Sequence, residues 1–189
     1  MKKILKENIL WFALVFTLSA IIWNFTFSAL DAPKDTEKLS VFVTAGEVDE
    51  SYFTKKLEIS QKIKKTTVYY REESARYFDE YFGTAGLINS DLLVIPSAML
   101  DDNAMLACTL ILNDEIIEKY GLDGCEFFTK DALKYGVTVL SETVDIFGSA
   151  VRYENDEESY VLIVNAASKN ADINGNDNAL KALKNLVKS

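Results

Sequence analysis

The heptapeptide Ser90-Asp-Leu-Leu-Val-Ile-Pro96 carries the clearest strand signal in this chain of 189 residues. Its four central residues, 92–95, are large and apolar without interruption, and Asp91 and Pro96 bound them. A run with no polar face is typical of a strand that is covered on both sides, as in a parallel sheet between two helical layers. We therefore expect residues 92–95 to lie near the centre of such a sheet.

Strand and helix signals alternate on the amino-terminal side of this heptapeptide. Residues 39–43 and 66–70 are rich in β-branched and aromatic side chains, which favour strands. Asp49 and Ser74 each precede apolar residues at helical spacing, so each is expected to cap a helix. This β-α-β-α-β order predicts an α/β fold, a three-layer domain with a mixed, mainly parallel sheet.

The carboxyl-terminal half predicts further helices and antiparallel strands around that sheet. A final helix with one apolar face is expected to begin at Asp177 or Asn178. The other predicted elements are helices over residues 98–112 and 113–120, strands over 126–129 and 137–140, and a hairpin of 151–153 with 160–164.

A long apolar stretch stands near the amino terminus. Residues 9–30 carry no charge, and as a helix they would extend about 33 Å, enough for a hydrocarbon core of about 30 Å. Three lysines precede the stretch, whereas the two lysines that follow are mixed with three acidic residues, which favours a cytoplasmic amino terminus at the plasma membrane. The expected division is a cytoplasmic tail (1–8), a single transmembrane anchor (9–30), a linker (31–38) and an extracytoplasmic α/β domain (39–189).

A cleaved secretory signal is the alternative for this stretch. The basic start fits such a signal, but the cleavage sites do not, since cutting after Ala29 places bulky Phe27 at the −3 position. A retained anchor is therefore the favoured interpretation. Asn24 within it would prefer a hydrogen-bonding partner in lipid, as from a membrane protein or a second copy of the chain.

Composition excludes several classes of function. The chain has a formal net charge of −9, which argues against binding nucleic acid by phosphate neutralisation. It contains no histidine, so catalytic triads and histidine-based zinc sites are excluded. The phosphate-binding motifs GxGxxG and GxxxxGK[ST] and the hydrolase motif GxSxG do not occur. We therefore expect no enzymatic activity, no cofactor and no metal ion.

The strand patterns support a resemblance to a known family. The strings Leu39-Ser-Val-Phe-Val43, Val68-Tyr-Tyr70, residues 90–96 and Lys134-Tyr-Gly-Val-Thr-Val139 resemble the first lobe of extracellular solute-binding proteins, which have the type II periplasmic-binding-protein fold. The resemblance covers about residues 39–165. It implies a small-solute ligand held at the loops that follow the strands and clasped between two lobes. This chain has residues for one lobe, so a site would need a partner chain, a dimer or a shallow surface.

The loops beyond the carboxyl ends of the parallel strands are the expected ligand site. There, helix N-termini would present N–H groups to an anionic group of the ligand, and Arg71 would add a positive charge. The competing interpretation is that these side chains are helix caps and solvated loop residues. The candidates are Thr44, Glu47, Asp49, Arg71, Ser74, Ser97 and Asp101.

Two further interpretations stay open. Cys108 and Cys125 are either joined by a disulfide, in an oxidising compartment, or are two separate thiols, since Cys108 lies in an apolar run where buried cysteine is common. The chain is predicted to be a non-catalytic solute-binding-like module associated with a transporter. The alternative is an interaction subunit of a membrane complex that keeps the fold without a solute.

Overall fold

The computed structural model of the chain describes residues 8–59 and 62–188. Residues 1–7 of the predicted cytoplasmic tail lie outside that part. The chain divides into two compact units, of which the first ends at Lys34 and the second begins at Asp35.

In the described part of the first unit, one helix, α1 (Ile9–Asp31), covers the apolar stretch as predicted. Those of its large apolar side chains that the structure describes are exposed by between 45% and 76%. Two of its polar side chains bond within the helix, since the hydroxyls of Thr17 and Thr26 donate to carbonyl oxygens one turn earlier, at 2.8 Å and 2.7 Å. Among the described residues, no helix combines the length and the mean hydropathy that crossing a membrane requires.

The second unit is an α/β domain. Its strands are β1 (Lys38–Thr44), β2 (Glu47–Val48), β3 (Lys65–Arg71), β4 (Leu92–Pro96), β5 (Phe127–Lys130), β6 (Leu133–Leu140), β7 (Val151–Arg152) and β8 (Tyr160–Val164). Its α-helices are α2 (Glu50–Leu57), α3 (Phe78–Tyr81), α4 (Asn103–Ala107), α5 (Asp114–Tyr120) and α6 (Asn178–Val187). A π-helical segment, Phe82–Ile88, continues α3, and short 3-10 turns occupy Asp35–Glu37, Ser97–Asp101 and Gly148–Ala150.

Six strands form one mixed sheet in the order β3-β1-β4-β8-β6-β5. β1 pairs in parallel with both β3 and β4, whereas β8 is antiparallel to β4 and to β6. β1, β3, β4 and β6 therefore point in one direction, and their carboxyl ends share one edge of the sheet. This confirms the predicted α/β class and a mixed sheet, which is parallel among β3, β1 and β4 and antiparallel from β4 through β8 and β6 to β5.

Each face of the sheet has its own apolar core, and the run at residues 92–95 contributes to both. Leu92 and Val94 belong to the core on one face, and Leu93 and Ile95 to the core on the other. Alternate side chains of a strand point to opposite faces, so a strand buried on both needs no polar position. All five residues of β4 are accordingly buried.

The predicted hairpin of residues 151–153 and 160–164 is wrong. β7 instead pairs with β2 in a separate two-stranded sheet, Glu47 opposite Arg152 and Val48 opposite Val151. β8 lies between β4 and β6, and all five of its residues are buried. An apolar strand of this kind gains more from two neighbours in the sheet than from one hairpin partner.

The predicted start of the next helix, at a Ser74 cap, is also wrong, although the helix itself is present. The chain turns through Tyr77, whose φ of 64° is left-handed, and α3 begins only at Phe78. The backbone N–H of Ser74 donates instead to the carboxylate of Glu154, 3.1 Å away. The helix predicted over residues 98–112 is interrupted at Asp102. The backbone of Asp102 is extended, so it ends a 3-10 turn and caps α4.

Candidate functional site

The carboxyl ends of β1, β3, β4 and β6 meet at one edge of the sheet, which we call the carboxyl edge. The chain leaves β1 towards β3 on one side and leaves β4 towards β6 on the other. The strand order therefore reverses between β1 and β4. In open α/β sheets, ligands bind at this kind of crevice, beyond the ends of the strands.

Thr44 and Arg71 end neighbouring strands at this edge and are register partners. Thr44 is completely buried, and its hydroxyl has no hydrogen-bond partner among the described residues. The guanidinium of Arg71 donates from Nη2 to the carbonyl of Arg76 at 2.7 Å and lies 5.7 Å from the centre of the Tyr81 ring. The structure thus brings these two predicted residues together, but Arg71 is occupied in holding its own loop.

Glu47 and Asp49 line an open cleft of about 630 Å³ at the same edge. We call it the acidic cleft. Its other wall comes from the connection between β6 and β8. The polar residues that line it are Glu47, Asp49, Asp145, Ser149, Arg152, Tyr153 and Asp156.

Asp49 caps α2 in this cleft. Its Oδ1 accepts from the backbone N–H groups of Ser51 and Tyr52 at 2.9 Å and 3.2 Å, and from the Ser51 hydroxyl at 2.7 Å. The Ser51 hydroxyl, and after it the Tyr52 N–H, lower the pKa of the Asp49 carboxyl. Asp49 is therefore a helix cap, as the competing interpretation predicted, and it also contributes a negative charge to the cleft.

The cleft contains one guanidinium, that of Arg152. Its Nη1 lies 3.2 Å from a carboxylate oxygen of Glu47, and both side chains are largely exposed. Arg152 therefore neutralises one of the four carboxylates in the cleft, and three negative charges are left uncompensated within it.

Tyr153 lines the cleft and was not among the predicted residues. It is only 7% exposed, and its ring centre lies 4.3 Å from that of Tyr160. Its hydroxyl has no hydrogen-bond partner among the described residues. Burial, and after it the negative charge of Asp145, raises the pKa of Tyr153. In the sequence, Tyr153 is an aromatic residue directly before the acidic segment 154–158. Residues 151–153 were predicted to form a hairpin strand, so Tyr153 was not considered as a site residue.

Ser74 lies in a second depression of about 470 Å³ at the carboxyl edge, also lined by Glu73, Glu154, Glu158 and Tyr160. Hydrogen bonding from Ser74 lowers the pKa of the Glu154 carboxyl. Burial, followed by repulsion from Glu158 and Glu154, raises the pKa of the Glu73 carboxyl. Burial also raises the pKa of Tyr160 to about 12. This depression therefore concentrates negative charge as well.

Ser97 and Asp101 do not reach the acidic cleft. Ser97 begins the 3-10 turn after β4, and its backbone N–H donates to the carbonyl of Ser159 at 2.8 Å. The backbone carbonyl of Asp101 accepts from Lys130 Nζ at 2.9 Å. Asp101 is thus at the far end of that turn, and it makes a structural contact with β5.

Cys108 and Cys125 are free thiols in the structure, and both are partly buried. Cys125 packs against the core that contains Leu92 and Val94. Met105, in the helix that ends just before Cys108, belongs to the core on the opposite face of the sheet. In the described part of the chain, no three His, Cys, Asp or Glu side chains are grouped as a metal site would require.

The electrostatic character of the site differs from the sequence-based expectation. A site for an anionic group was expected from helix N-termini and Arg71. In the structure the N-terminus of α2 is already capped by Asp49, and Arg71 is turned towards its own loop. The acidic residues of the cleft come from segments about a hundred residues apart, so their convergence had no local signal.

Comparison of the chain with protein-family models, with curated proteins and with solved structures finds no match. The geometry and charge of the carboxyl edge are therefore the basis on which we assign a function.

Proposed function

We propose that the chain is a membrane-anchored, extracytoplasmic module that binds a small solute at the carboxyl edge and performs no covalent chemistry. The observation that carries this proposal is the acidic cleft beside a reversal of strand order, where the Tyr153 hydroxyl is buried without a partner among the described residues. Buried hydroxyls almost always have a partner, so such a group at a cleft favours an external one.

The resemblance to the first lobe of extracellular solute-binding proteins belongs to this proposal. It is supported by the β-α-β-α-β order around β1, β3 and β4 and by polar residues collected at the carboxyl edge. In that family a second lobe closes over this edge. Here residues 141–159, which connect β6 to β8, border the edge instead. We therefore infer a shallow, open site that works with one lobe.

The membrane anchor of the proposal is α1. Residues 9–30 carry no charge, and the described large apolar side chains of α1 are exposed, Trp11 and Trp23 by 68% each. Lipid is the environment in which such a helix avoids contact between apolar surface and water. This part of the proposal rests on the uncharged sequence of residues 9–30 and on the exposure of these side chains.

The solute-binding function is tested by thermal denaturation of the full-length chain in detergent micelles, with a panel of amines, amino acids, sugars, nucleosides and phosphate. A ligand at a hundred times its Kd stabilises the folded state by about 2.7 kcal/mol, which raises Tm by several degrees. We expect a reproducible rise with one class of compound. A flat response across the whole panel, from a chain that unfolds cooperatively, would contradict the proposal.

The anchor is tested separately by extracting membranes with alkaline carbonate after expression of the full-length chain. We expect the chain to stay with the membranes and to be released only by detergent. Protease added from outside should then cleave the domain and leave the amino terminus protected. Release by carbonate alone would show that α1 does not span the bilayer.

A second candidate function, docking onto another membrane protein, is favoured by Asn24. Its amide lies on the exposed surface of α1 among apolar side chains. In lipid, an amide on such a helix gains from a hydrogen bond to a neighbouring helix. Under this alternative, Asn24→Leu abolishes copurification of a membrane partner in detergent, and solutes have no effect on Tm. A partner that copurifies equally with Asn24→Leu would count against it.

A further inference from the structure

The acidic cleft has a net negative charge, because four carboxylates and one positively charged side chain line it. Its titratable side chains are the carboxylates of Glu47, Asp49, Asp145 and Asp156 and the guanidinium of Arg152. Arg152 is paired with Glu47, and Asp49 bonds the N-terminus of α2. One oxygen of Asp145 accepts from the N–H of Gly148 at 2.8 Å, so that carboxylate is fixed in position and its charge remains. The electrostatic potential in the cleft thus favours a cation.

Tyr153 provides a second, independent observation. It is more than nine-tenths buried, it lines the cleft, and its hydroxyl is without a hydrogen-bond partner among the described residues. Asp145 lines the same cleft as Tyr153. The hydroxyl oxygen can accept a hydrogen bond from a ligand that also pairs with Asp145.

The size and the lining residues of the cleft indicate the kind of cation. A volume of about 630 Å³ is in the range of clefts that hold small organic molecules and exceeds the needs of a bare ion. Tyr153 is the aromatic residue that lines the cleft, and its ring centre lies 4.3 Å from that of Tyr160. Carboxylates beside a tyrosine and the apolar side chains that line the cleft suit the ammonium head and the methylene stem of an alkylamine.

We propose that the acidic cleft binds a small organic cation of the alkylammonium class, with Asp145 and Asp156 supplying charge and the Tyr153 hydroxyl accepting an ammonium N–H. This inference rests on the proposed function and names the ligand class of its site. It replaces the anionic ligand group that the sequence suggested.

The test is isothermal titration calorimetry of the full-length chain in detergent micelles with 1,4-diaminobutane as the probe. Two matched probes have the same carbon skeleton, neutral 1,4-butanediol and the anion succinate. We expect saturable binding of the diamine alone. The affinity should fall as sodium chloride is raised, because an ion pair at an open cleft is screened by salt.

Three variants locate the site. Asp145→Asn and Asp156→Asn each remove one charge and should weaken diamine binding by about tenfold, the scale of one charge-assisted hydrogen bond. Asn at position 145 keeps an oxygen for the Gly148 N–H, so the turn is preserved. Tyr153→Phe removes only the hydroxyl and should weaken binding while leaving its salt dependence unchanged.

The matched control is Glu118→Gln, which removes one exposed carboxylate from α5, outside the cleft. It should bind the diamine like the unmodified chain. Equal weakening by Glu118→Gln and Asp145→Asn would mean that net charge alone attracts the diamine, and it would overturn the site.

The remaining outcomes separate this inference from the proposed function. If succinate, the diol or another panel compound binds and the diamine does not, the ligand class is wrong and the binding function stands. If calcium chloride binds in the cleft and 1,4-diaminobutane does not compete with it, the organic cation is wrong and a metal ion takes its place. If no compound binds a folded chain, both the inference and the proposed function fail.

Discussion

The carboxylate of Asp91 illustrates how much a single buried residue organises in this domain. It is 9% exposed and accepts four hydrogen bonds. The donors are the N–H and hydroxyl of Ser40 at 2.8 Å and 3.1 Å, the hydroxyl of Ser168 at 2.6 Å and the amide of Asn170 at 2.8 Å. These bonds join the start of β4 to β1 and to the loop after β8. In the sequence Asp91 marked only the beginning of a strand.

Replacing Asp91 should therefore be costly. Asp91→Ala leaves several buried donors without an acceptor, and we expect a loss of about 3 kcal/mol in the free energy of unfolding. The measurement is a urea titration of the full-length chain followed by near-ultraviolet circular dichroism. The control Asp123→Ala removes an exposed carboxylate and should change stability by less than about 0.5 kcal/mol. Similar values for both variants would contradict the role assigned to Asp91.

Asp177 provides a prediction about pH. Burial alone would raise the pKa of its carboxyl, but bonds from Lys181 Nζ at 2.6 Å and the Tyr120 hydroxyl at 2.8 Å outweigh it, so the pKa is lowered. A carboxyl with a lowered pKa stabilises the folded state above its ordinary value of about 3.9 and loses this effect as the pH falls through its folded value.

Asp177→Asn should accordingly cost about 1 kcal/mol at pH 7 and progressively less below pH ~4, where the unmodified carboxylate is itself protonated. Urea titrations of both chains at pH 7 and at lower pH measure the difference. A cost that stayed constant across this range would show that the negative charge of Asp177 is not what stabilises the domain.

At the scale of elements, the packing of β6 against β8 explains why residue 136 of β6 is a glycine. A Cβ added to Gly136 would lie 2.6 Å from Val161 Cγ1, 2.7 Å from Ile163 Cγ2 and 2.7 Å from the carbonyl oxygen of Leu162. The obstructing atoms belong to β8, which is fixed between β4 and β6. The close approach of the two strands therefore depends on the absence of a side chain at position 136.

Gly136→Ala should lower the free energy of unfolding by about 2 kcal/mol or more, since neither strand can move without disturbing the sheet. Gly83→Ala is the matched control in the π-helical segment, because nothing lies within 4 Å of the added Cβ. That change should be neutral or stabilising by up to about 1 kcal/mol. Equal destabilisation by both variants would argue against tight packing of β6 on β8.

Elements with local signals were predictable from the sequence, and elements defined by distant partners were not. The apolar run of β4, the Asp49 cap of α2 and the Gly121 end of α5 each depend on a few neighbouring residues. By contrast, β7 exists only because it pairs with β2, about a hundred residues earlier. β8 was predicted as a strand, but its position between β4 and β6 depends on pairing with both of these strands, which lie far from it in the sequence.

At the scale of the whole molecule, the domain collects negative charge at one edge. From residue 31 onward the chain has 28 acidic and 17 basic residues. The composition therefore predicted an acidic domain without indicating where the charge lies. Thr44, Glu47, Asp49 and Arg71 were found as candidates because they follow strands directly. Asp145, Tyr153 and Asp156 were missed because they reach the same edge from a long connection.

This concentration of charge has a cost that can be measured at Glu73. Burial and the neighbouring glutamates raise the pKa of its carboxyl, so ionising it destabilises the folded state. The effect is present at neutral pH and disappears as the pH falls below the ordinary value of about 4.3, since the group is then protonated whether folded or not. We expect Glu73→Gln to raise Tm at pH 7 and to leave it unchanged at pH 4 or below. Thermal unfolding of the full-length chain at both pH values measures this; a lower Tm at pH 7 would mean that Glu73 stabilises the edge.

The central claim is that a small solute binds at the carboxyl edge, and the most direct measurement of it is residue-resolved. Two-dimensional NMR of the isotope-labelled full-length chain in micelles, titrated with 1,4-diaminobutane, follows every backbone amide at once. The account predicts saturable shifts confined to residues 45–50 and 145–156. Shifts spread over all acidic surfaces without saturation, or confined to the opposite edge around Ser40 and Asp91, would contradict it.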